Sequence, residues 1–157
     1  MKKIQYLFLT LLAMNTYSFG QQSLQSAIDK SDGRFIKEWI QAGHDINSFI
    51  SVDDLKISPL SYAALKGNPE MVTLMLNKGA QVNMKIEFQD ALMYAAMGGN
   101  LEIIEKLLAA GANPMNENKM GKCSRDLAKD NGHLEAQRLL STEIEKRQAA
   151  LRAQRRK

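Results

Sequence analysis

Apolar residues recur three and four positions apart in three short runs, and polar turns that contain glycine separate the runs. The residues of these runs are Phe35, Ile36, Trp39 and Ile40; Met71, Val72, Leu74, Met75 and Leu76; and Ile103, Ile104, Leu107 and Leu108. This spacing places apolar side chains on one face of a helix, so it predicts three amphipathic helices. A shorter helix-forming segment precedes each run, and two of these segments carry the pairs Ala63–Ala64 and Ala95–Ala96. The pattern therefore predicts pairs of short helices whose small residues allow close packing.

The helix pairs repeat at a nearly constant interval. A small residue in each first helix gives spacings of 36, 32 and 33 residues, at Ala27, Ala63, Ala95 and Ala128. The glycine after each second helix gives spacings of 36 and 32 residues, at Gly43, Gly79 and Gly111. Such a period is typical of a solenoid, in which each unit buries its apolar face against its neighbours.

Helix-capping residues stand at equivalent positions of the units. The predicted second helices begin at Asp32, Asn68, Asn100 and His133. Asp and Asn are strong N-cap residues because their side-chain oxygens accept hydrogen bonds from amides of the first turn. Pro69 follows a cap, and Pro59 follows Ser58 at the start of a first helix, where the missing proline N–H is harmless. The glycines after the second helices are suited to the left-handed conformation that ends a helix.

The stretch from Ser58 to Asn83 reads SPLSYAALKGNPEMVTLMLNKGAQVN and resembles an ankyrin repeat, whose pattern is TPLHxAAxxG, a second helix, and LLxxGAxxN. A later stretch, DALMYAAMGGNLEIIEKLLAAGAN, is similar to the same pattern. The stretches SLQSAIDKSDGRFIKEWIQAGHDIN and CSRDLAKDNGHLEAQRLL resemble N-terminal and C-terminal capping repeats. The resemblance implies an all-α fold, an ankyrin-repeat solenoid of about four helix-turn-helix repeats with short β-hairpin-like fingers.

The resemblance places a repeat domain at residues 21–141, with units at about 22–50, 58–83, 90–115 and 123–141. Residues 142–157 contain no Gly or Pro and predict a basic helical extension, with Lys146, Arg147, Arg152, Arg155, Arg156 and Lys157. We expect this extension to be a solubilising cap, and a contact with an anion or membrane surface is the alternative.

Two positions that usually link adjacent turns of ankyrin repeats are altered here. The usual threonine is replaced by Ser58, Asp90 and Cys123, and the usual histidine by Ser61, Met93 and Asp126. We therefore expect weaker hydrogen-bonded ties and a larger contribution of packing to stability. The joint before Ser58 is also three residues longer than the usual joint, which accounts for the 36-residue spacing.

Residues 1–20, MKKIQYLFLTLLAMNTYSFG, have the three parts of a secretory signal peptide. Lys2 and Lys3 precede an apolar run, and Ser18 and Gly20 place small side chains before a cleavage site at Gln21. The run is about half of the ~20 residues that span a bilayer. We expect export to a bacterial periplasm, or alternatively secretion, with no membrane insertion after cleavage. An uncleaved membrane anchor is the remaining alternative.

Composition and charge restrict the class of function. The chain has 21 basic and 17 acidic residues, and its net charge falls from +4 to +2 without Lys2 and Lys3. This weak charge does not favour nucleic-acid binding. Cys123 is the single cysteine of the sequence, so an intramolecular disulfide is impossible. The sequence contains no Cys/His cluster, and we expect no metal and no cofactor.

The residues that carry catalysis in other proteins are scattered over different units. His44 and His133 belong to the first and fourth units, and Cys123 occupies a threonine position where we expect a buried structural thiol. The carboxylate pairs Asp53–Asp54 and Glu102/Glu105 are expected to be solvated. An enzyme would need titratable groups that converge in a cleft, so we expect a non-enzymatic protein and regard catalysis as the rival class.

Ankyrin-repeat proteins generally bind through finger tips and the exposed, concave side of their first helices, so the resemblance assigns candidate partner-binding positions. The first finger and its joint contribute Phe49, Ile50, Val52, Asp54, Leu55 and Ile57. The other two fingers contribute Ile86, Glu87 and Gln89, and then Lys119, Met120 and Lys122. The first helices contribute Tyr62, Leu65, Lys66, Tyr94, Met97 and Asp130. The joint SFISVDDLKI is unusually apolar, which predicts either a partner contact or a segment folded back over the first two units.

These observations favour a monomeric protein-binding module whose partner is another protein. One role is that of an accessory or chaperone-like factor for another exported protein, such as an oxidative-stress enzyme. The other is that of an immunity protein that neutralises a toxin acting in the periplasm. The sequence leaves both roles open.

Overall fold

The computed structural model describes residues 23–156 of the chain. Within this range the helices are α1 (Leu24–Asp29), α2 (Gly33–Gln41), α3 (Pro59–Leu65), α4 (Pro69–Asn77), α5 (Ala91–Gly98), α6 (Leu101–Ala109), α7 (Ser124–Asp130) and α8 (Leu134–Gln154). A two-stranded antiparallel sheet, β1 (Ile50–Val52) and β2 (Leu55–Ile57), lies between α2 and α3. The structure therefore contains four helix pairs in chain order, and the predicted ankyrin solenoid with short fingers is confirmed.

The first helices of the units form one continuous inner layer. Helix α3 packs between α1 and α5, and α5 packs between α3 and α7. The pairs Ala63–Ala64 and Ala95–Ala96 are buried in this layer, because small side chains let neighbouring helices approach closely. The second helices form an outer layer in which α6 contacts both α4 and α8. One hydrophobic core runs through both layers, as expected when no unit can bury its apolar face alone.

The predicted caps form as expected in three of the four outer helices. The side-chain oxygens of Asp32, Asn68 and Asn100 each accept a hydrogen bond from the amide three residues later, at 3.0 Å. His133 occupies the equivalent position, but its side chain makes no capping bond. The glycines that end the other outer helices have φ values of 91°, 89° and 93°, at Gly43, Gly79 and Gly111. These left-handed residues end the helices with little steric strain.

Asparagines after the outer helices link adjacent units. Asn47 Oδ1 accepts from the Gln81 amide at 2.7 Å, and Asn83 Oδ1 accepts from the Asn113 amide at 2.7 Å. The Nδ2 of Asn83 also donates to the Gly111 carbonyl at 3.1 Å. At one altered threonine and histidine pair, Ser58 is the N-cap of α3, and its Oγ donates to Ser61 Oγ in the first turn, so this bond stays within one unit. At another altered threonine position, Asp90 Oδ2 accepts from Asn116 Nδ2 of the following loop at 2.9 Å. Polar bonds between units, many of them in the loops after the outer helices, therefore supplement the packing of the inner layer.

Helix α8 continues beyond the last repeat. It has 21 residues, and Ile144, one turn after Leu140, is still buried. From Gln148 to Arg156 every residue is exposed, so the last two turns stand clear of the stack. Among the described helices, none is long and apolar enough to cross a membrane.

Candidate functional site

The first finger, residues 50–57, is a true β-hairpin. Its strands pair Ile50 with Ile57 and Val52 with Leu55, so these four apolar side chains share one face of the ribbon. Ile57 is buried and the other three are half-buried against the stack, while Ser51 and Lys56 lie on the solvent side. The apolar face of the joint is therefore folded back, and the tip remains accessible.

An open groove of about 680 Å³ lies between this hairpin and the inner helices. The groove is lined by Gln25 of α1, by Val52, Asp53, Asp54 and Leu55 of the hairpin, and by Tyr62, Leu65 and Lys66 of α3. Leu65 is 42% exposed although it ends a helix of the inner layer. The groove thus combines accessible aliphatic surface with charged groups at its edge.

The charges at the base of the groove are already paired. Tyr62 donates its hydroxyl hydrogen to Asp29 Oδ1 at 2.9 Å, and Lys66 Nζ lies 3.2 Å from the same oxygen. Hydrogen bonding with Tyr62, and then with Asp29, raises the pKa of Lys66 above its ordinary value. Lys66 therefore keeps its positive charge, which Asp29 offsets. Within the described range, no Lys or Arg nitrogen forms an ion pair with Asp53 or Asp54 at the rim.

The second finger, residues 86–89, closes on a two-residue turn. The amides of Ile86 and Gln89 each donate to the other residue's carbonyl at 3.1 Å. Glu87 and Phe88 between them have φ values of 50° and 69°, and such turns are usually made by Asn-Gly because left-handed backbone strains larger residues. Phe88 is 62% exposed at this tip. The sequence did not lead us to name Phe88 as a contact residue. The signal that could have identified it is a large aromatic side chain between two polar residues, Glu87 and Gln89, in a finger.

In the third finger, residues 117–123, Asn118 Oδ1 and Lys122 make local polar bonds, whereas the buried Asn118 Nδ2 has no hydrogen-bond partner among the described residues. Asn118 Oδ1 accepts from the amides of Met120 and Lys122, at 2.9 and 3.1 Å. Lys122 Nζ contacts Asp130 Oδ2 of α7 at 2.6 Å, and this carboxylate raises the pKa of Lys122. Met120 is 63% exposed at the tip. The tip of this finger therefore presents an apolar side chain, and the charges of Lys122 and Asp130 neutralise each other.

The structure corrects three of the predicted contact residues. Ile57 and Tyr62 are each 1% exposed and Tyr94 is 4% exposed, so none offers a surface to a partner. Ile57 points from the hairpin into the core, and the two tyrosines pack within the inner layer because their rings fill space between neighbouring units. Burial, followed by the charge of Glu87, raises the pKa of Tyr94. These three residues belong to the core that packs beneath the candidate binding surface.

The other predicted contact residues reach the surface to different degrees. The exposed ones are Phe49, Asp54, Leu65, Lys66, Glu87, Lys119, Met120 and Asp130. The half-buried ones are Ile50, Val52, Leu55, Ile86, Gln89, Met97 and Lys122. Together with Phe88, these residues occupy the fingers and the accessible side of the inner helices, a surface that we call the inner face.

Cys123 is buried, as the sequence predicted, and caps helix α7. Its Sγ donates to Asp126 Oδ2 at 3.1 Å, and its amide donates to the same oxygen at 3.2 Å. Burial raises the pKa of the Cys123 thiol, which keeps it protonated and unreactive. Partial burial also acts to raise the pKa of Asp126, but hydrogen bonds from Arg125 and Cys123 outweigh it and lower that pKa.

Both histidines have structural contacts. The His44 ring stacks on Trp39 with centroids 4.7 Å apart, and His133 Nε2 lies 3.0 Å from the Met97 carbonyl of the preceding unit. His133 borders a shallow depression of about 270 Å³, in which Glu135 is the other titratable lining residue. No group of three His, Cys, Asp or Glu side chains suited to a metal occurs among residues 23–156.

Comparison with known proteins agrees with this architecture. The family model for ankyrin repeats (3 copies) matches the chain over residues 23–118 and again over 60–150. No curated protein matches the chain. The two matched ranges span residues 23–150, which include the first three helix pairs and all but the last four residues of the fourth. The chain therefore belongs to the ankyrin-repeat family, whose members are generally non-enzymatic modules of protein–protein interaction.

Proposed function

We propose that this protein is an exported binding module that holds a partner protein against its inner face. The observation that carries the proposal is the exposure of large apolar side chains along this face. Phe88 and Met120 at two finger tips and Leu65 beside the first are exposed, and Phe49 is exposed under Lys56 on the solvent side of the first finger. Large apolar side chains that stay exposed to water are typical of interaction sites when they form a patch rimmed by polar residues.

Binding requires no chemical step and no conformational switch. The inner helices are locked by buried alanines and by the shared core, so the fingers project from a rigid base. A rigid surface loses little conformational entropy on association, which favours affinity. Specificity then comes from the side chains of the fingers, which differ from one unit to the next.

The proposed compartment is the periplasm, with secretion as the alternative. It rests on the sequence of residues 1–20, which lie outside the described residues. Mass spectrometry of protein purified from a periplasmic fraction is expected to give a chain that begins at Gln21. An intact Met1 end on protein from the cytosol would refute export.

Two biological roles fit a monomeric module of this kind. An accessory factor would stabilise or guide another exported protein, whereas an immunity protein would cover the active surface of a toxin. Neighbouring genes separate these roles: a toxin gene alongside favours immunity, and a gene for an oxidative-stress enzyme favours the accessory role. Neither role requires membrane insertion after signal cleavage.

The experiment that tests binding is capture of partners by the tagged mature protein from a periplasmic extract, followed by mass spectrometry. The expected result is reproducible retention of one protein. A variant with Leu65→Arg and Met120→Arg provides a comparison, since both side chains are exposed and their replacement leaves the core intact. Retention of a small molecule and of no protein would overturn the proposal.

A further inference from the structure

The groove beneath the first finger carries unneutralised negative charge beside accessible aliphatic surface. Asp53 and Asp54 stand exposed at its rim, and neither forms an ion pair within the part of the chain that the structure describes. Lys66 at the base is held by Asp29, so it does not offset the rim carboxylates. The nearest lysine along the hairpin, Lys56, lies on the opposite face, over the ring of Phe49.

The apolar part of the groove faces the same opening. Val52 and Leu55 are half-buried on the hairpin, and Leu65 is exposed on α3 across from them. These three side chains offer aliphatic surface that a ligand side chain can cover, and covering it is favourable because apolar area leaves water. The groove thus has an apolar centre and an anionic rim within one opening of about 680 Å³.

The other fingers do not combine these features. In the third finger Lys122 pairs with Asp130. The exposed tip of that finger carries the cation Lys119 beside Met120, so no anionic rim faces the apolar group. In the second finger the exposed apolar residue Phe88 stands beside a single carboxylate, Glu87, rather than two. A ligand that combines an apolar group with a positive charge is therefore expected to bind at the first finger.

We propose that this groove binds a segment of the partner protein in which a large aliphatic side chain lies next to lysine or arginine. This inference rests on the proposed function and specifies the chemistry of the partner. The aliphatic side chain would cover Leu55 and Leu65, and the cationic group would contact Asp53 and Asp54 at the rim. Opposite charges at an exposed rim chiefly speed association and select the partner, so the interaction weakens as salt is added.

The test places a photoreactive amino acid at position 65 of the full chain, expressed and exported in its native host. Irradiation joins position 65 to whatever occupies the groove, and mass spectrometry identifies the joined peptide. The expected peptide comes from another protein and contains Leu, Ile, Val or Met within a few residues of Lys or Arg. The same label at position 134, on the exposed Leu134 of α8, is the matched control and is expected to give no such product.

A second measurement removes the rim charge without altering the groove's shape. The double variant Asp53→Asn/Asp54→Asn is expected to lower the yield of the position-65 product by about 2- to 30-fold, the range for losing two exposed ion pairs. Asn suits this test because it tolerates the left-handed backbone of Asp53, whose φ is 52°. The control Glu105→Gln/Glu145→Gln removes two exposed carboxylates of the outer layer and is expected to leave the yield unchanged.

The outcomes separate this inference from the proposed function. Products from labels at positions 88 and 120, with none from position 65, would overturn the groove assignment and leave the binding module standing. An acidic or uncharged peptide at position 65, or a peptide from a second copy of this chain, would overturn the stated chemistry. Products from none of the three positions would overturn both proposals.

Discussion

At the tip of the first finger two carboxylates form no ion pair among the described residues, whereas in the third finger Asn118 Oδ1 and Lys122 bond to their neighbours. Asn118 organises the turn through two amides, and Lys122 pairs with Asp130. The first finger is instead held by apolar side chains beneath its strands, chiefly Ile57. Because strand pairing and apolar packing fix the first hairpin, its two tip carboxylates stay available for a partner. In the third finger Asn118 Oδ1 and Lys122 instead support the local structure.

The largest expected effect comes from removing the apolar anchor of the first finger. Ile57→Ala is expected to lower the free energy of unfolding by about 2–5 kcal/mol, because a buried aliphatic side chain is lost and a cavity remains. Chemical denaturation monitored by circular dichroism measures it. The neighbouring Lys56→Ala, on the solvent side of the same strand, is the control and is expected to change little. Equal stability of both variants would mean that packing does not hold the hairpin.

The next effect compares equivalent turns in the two internal units of the stack. Gly67 and Gly99 have φ values of 66° and 65°, so alanine at either is expected to destabilise by about 1–2 kcal/mol. A Cβ at Gly99 would also overlap the His133 imidazole, whereas at Gly67 the nearest atom is 3.6 Å away. Thermal unfolding is therefore expected to show a larger loss for Gly99→Ala. Adding His133→Ala to Gly99→Ala should remove the additional loss of stability. If the additional loss remains, it does not come from overlap between the new Cβ and the His133 ring.

A smaller, pH-dependent effect is expected at the third finger. The folded pKa of Asp126 lies below its unfolded value, so its contribution to stability is complete above the unfolded pKa and disappears as pH falls through the folded pKa. Asp126→Asn should therefore destabilise at neutral pH. The difference from the unaltered protein should begin to shrink as pH falls below about 4 and disappear below the folded pKa of Asp126. Denaturation midpoints from pH 7 to pH 2.5 measure it. A difference that stays constant over this range would contradict the assigned hydrogen bonds.

The smallest expected effect on stability is at the rim of the first finger. Asp53→Asn/Asp54→Asn should leave the denaturation midpoint unchanged within error, because neither carboxylate forms an ion pair within residues 23–156. The same variant should weaken partner retention, and added salt should weaken retention by the unaltered protein. A clear loss of stability would show that these carboxylates support the fold.

Sequence reasoning succeeded where short-range rules determine structure. The caps Asp32, Asn68 and Asn100 and the left-handed glycines follow from interactions within a few residues, and the repeat period then determines the stacking. The bonds from Asn47 and Asn83 to the next unit join residues 30 or more positions apart, so local spacing did not reveal them.

The site was harder to predict because its exposure depends on packing between units. The repeat register predicted that Tyr62 and Tyr94 lie on the accessible side of the inner helices. Both are buried instead, because their rings fill the space between neighbouring units. Phe88 was missed because its exposure depends on two consecutive left-handed residues, which sequences without Asn-Gly rarely signal. Ile57 was misplaced because alternation along a hairpin depends on the pairing of its strands.

The most direct test of the central claim is quantitative capture of partner protein by three forms of the tagged mature chain. These forms are the unaltered protein, the inner-face variant Leu65→Arg/Met120→Arg, and the outer-layer variant Glu105→Gln/Glu145→Gln. We predict that the unaltered protein and the outer-layer variant retain the same protein in equal amounts, while the folded inner-face variant loses it. Equal retention by all three forms, or retention of no protein by the unaltered chain, would contradict a binding module that acts through its inner face.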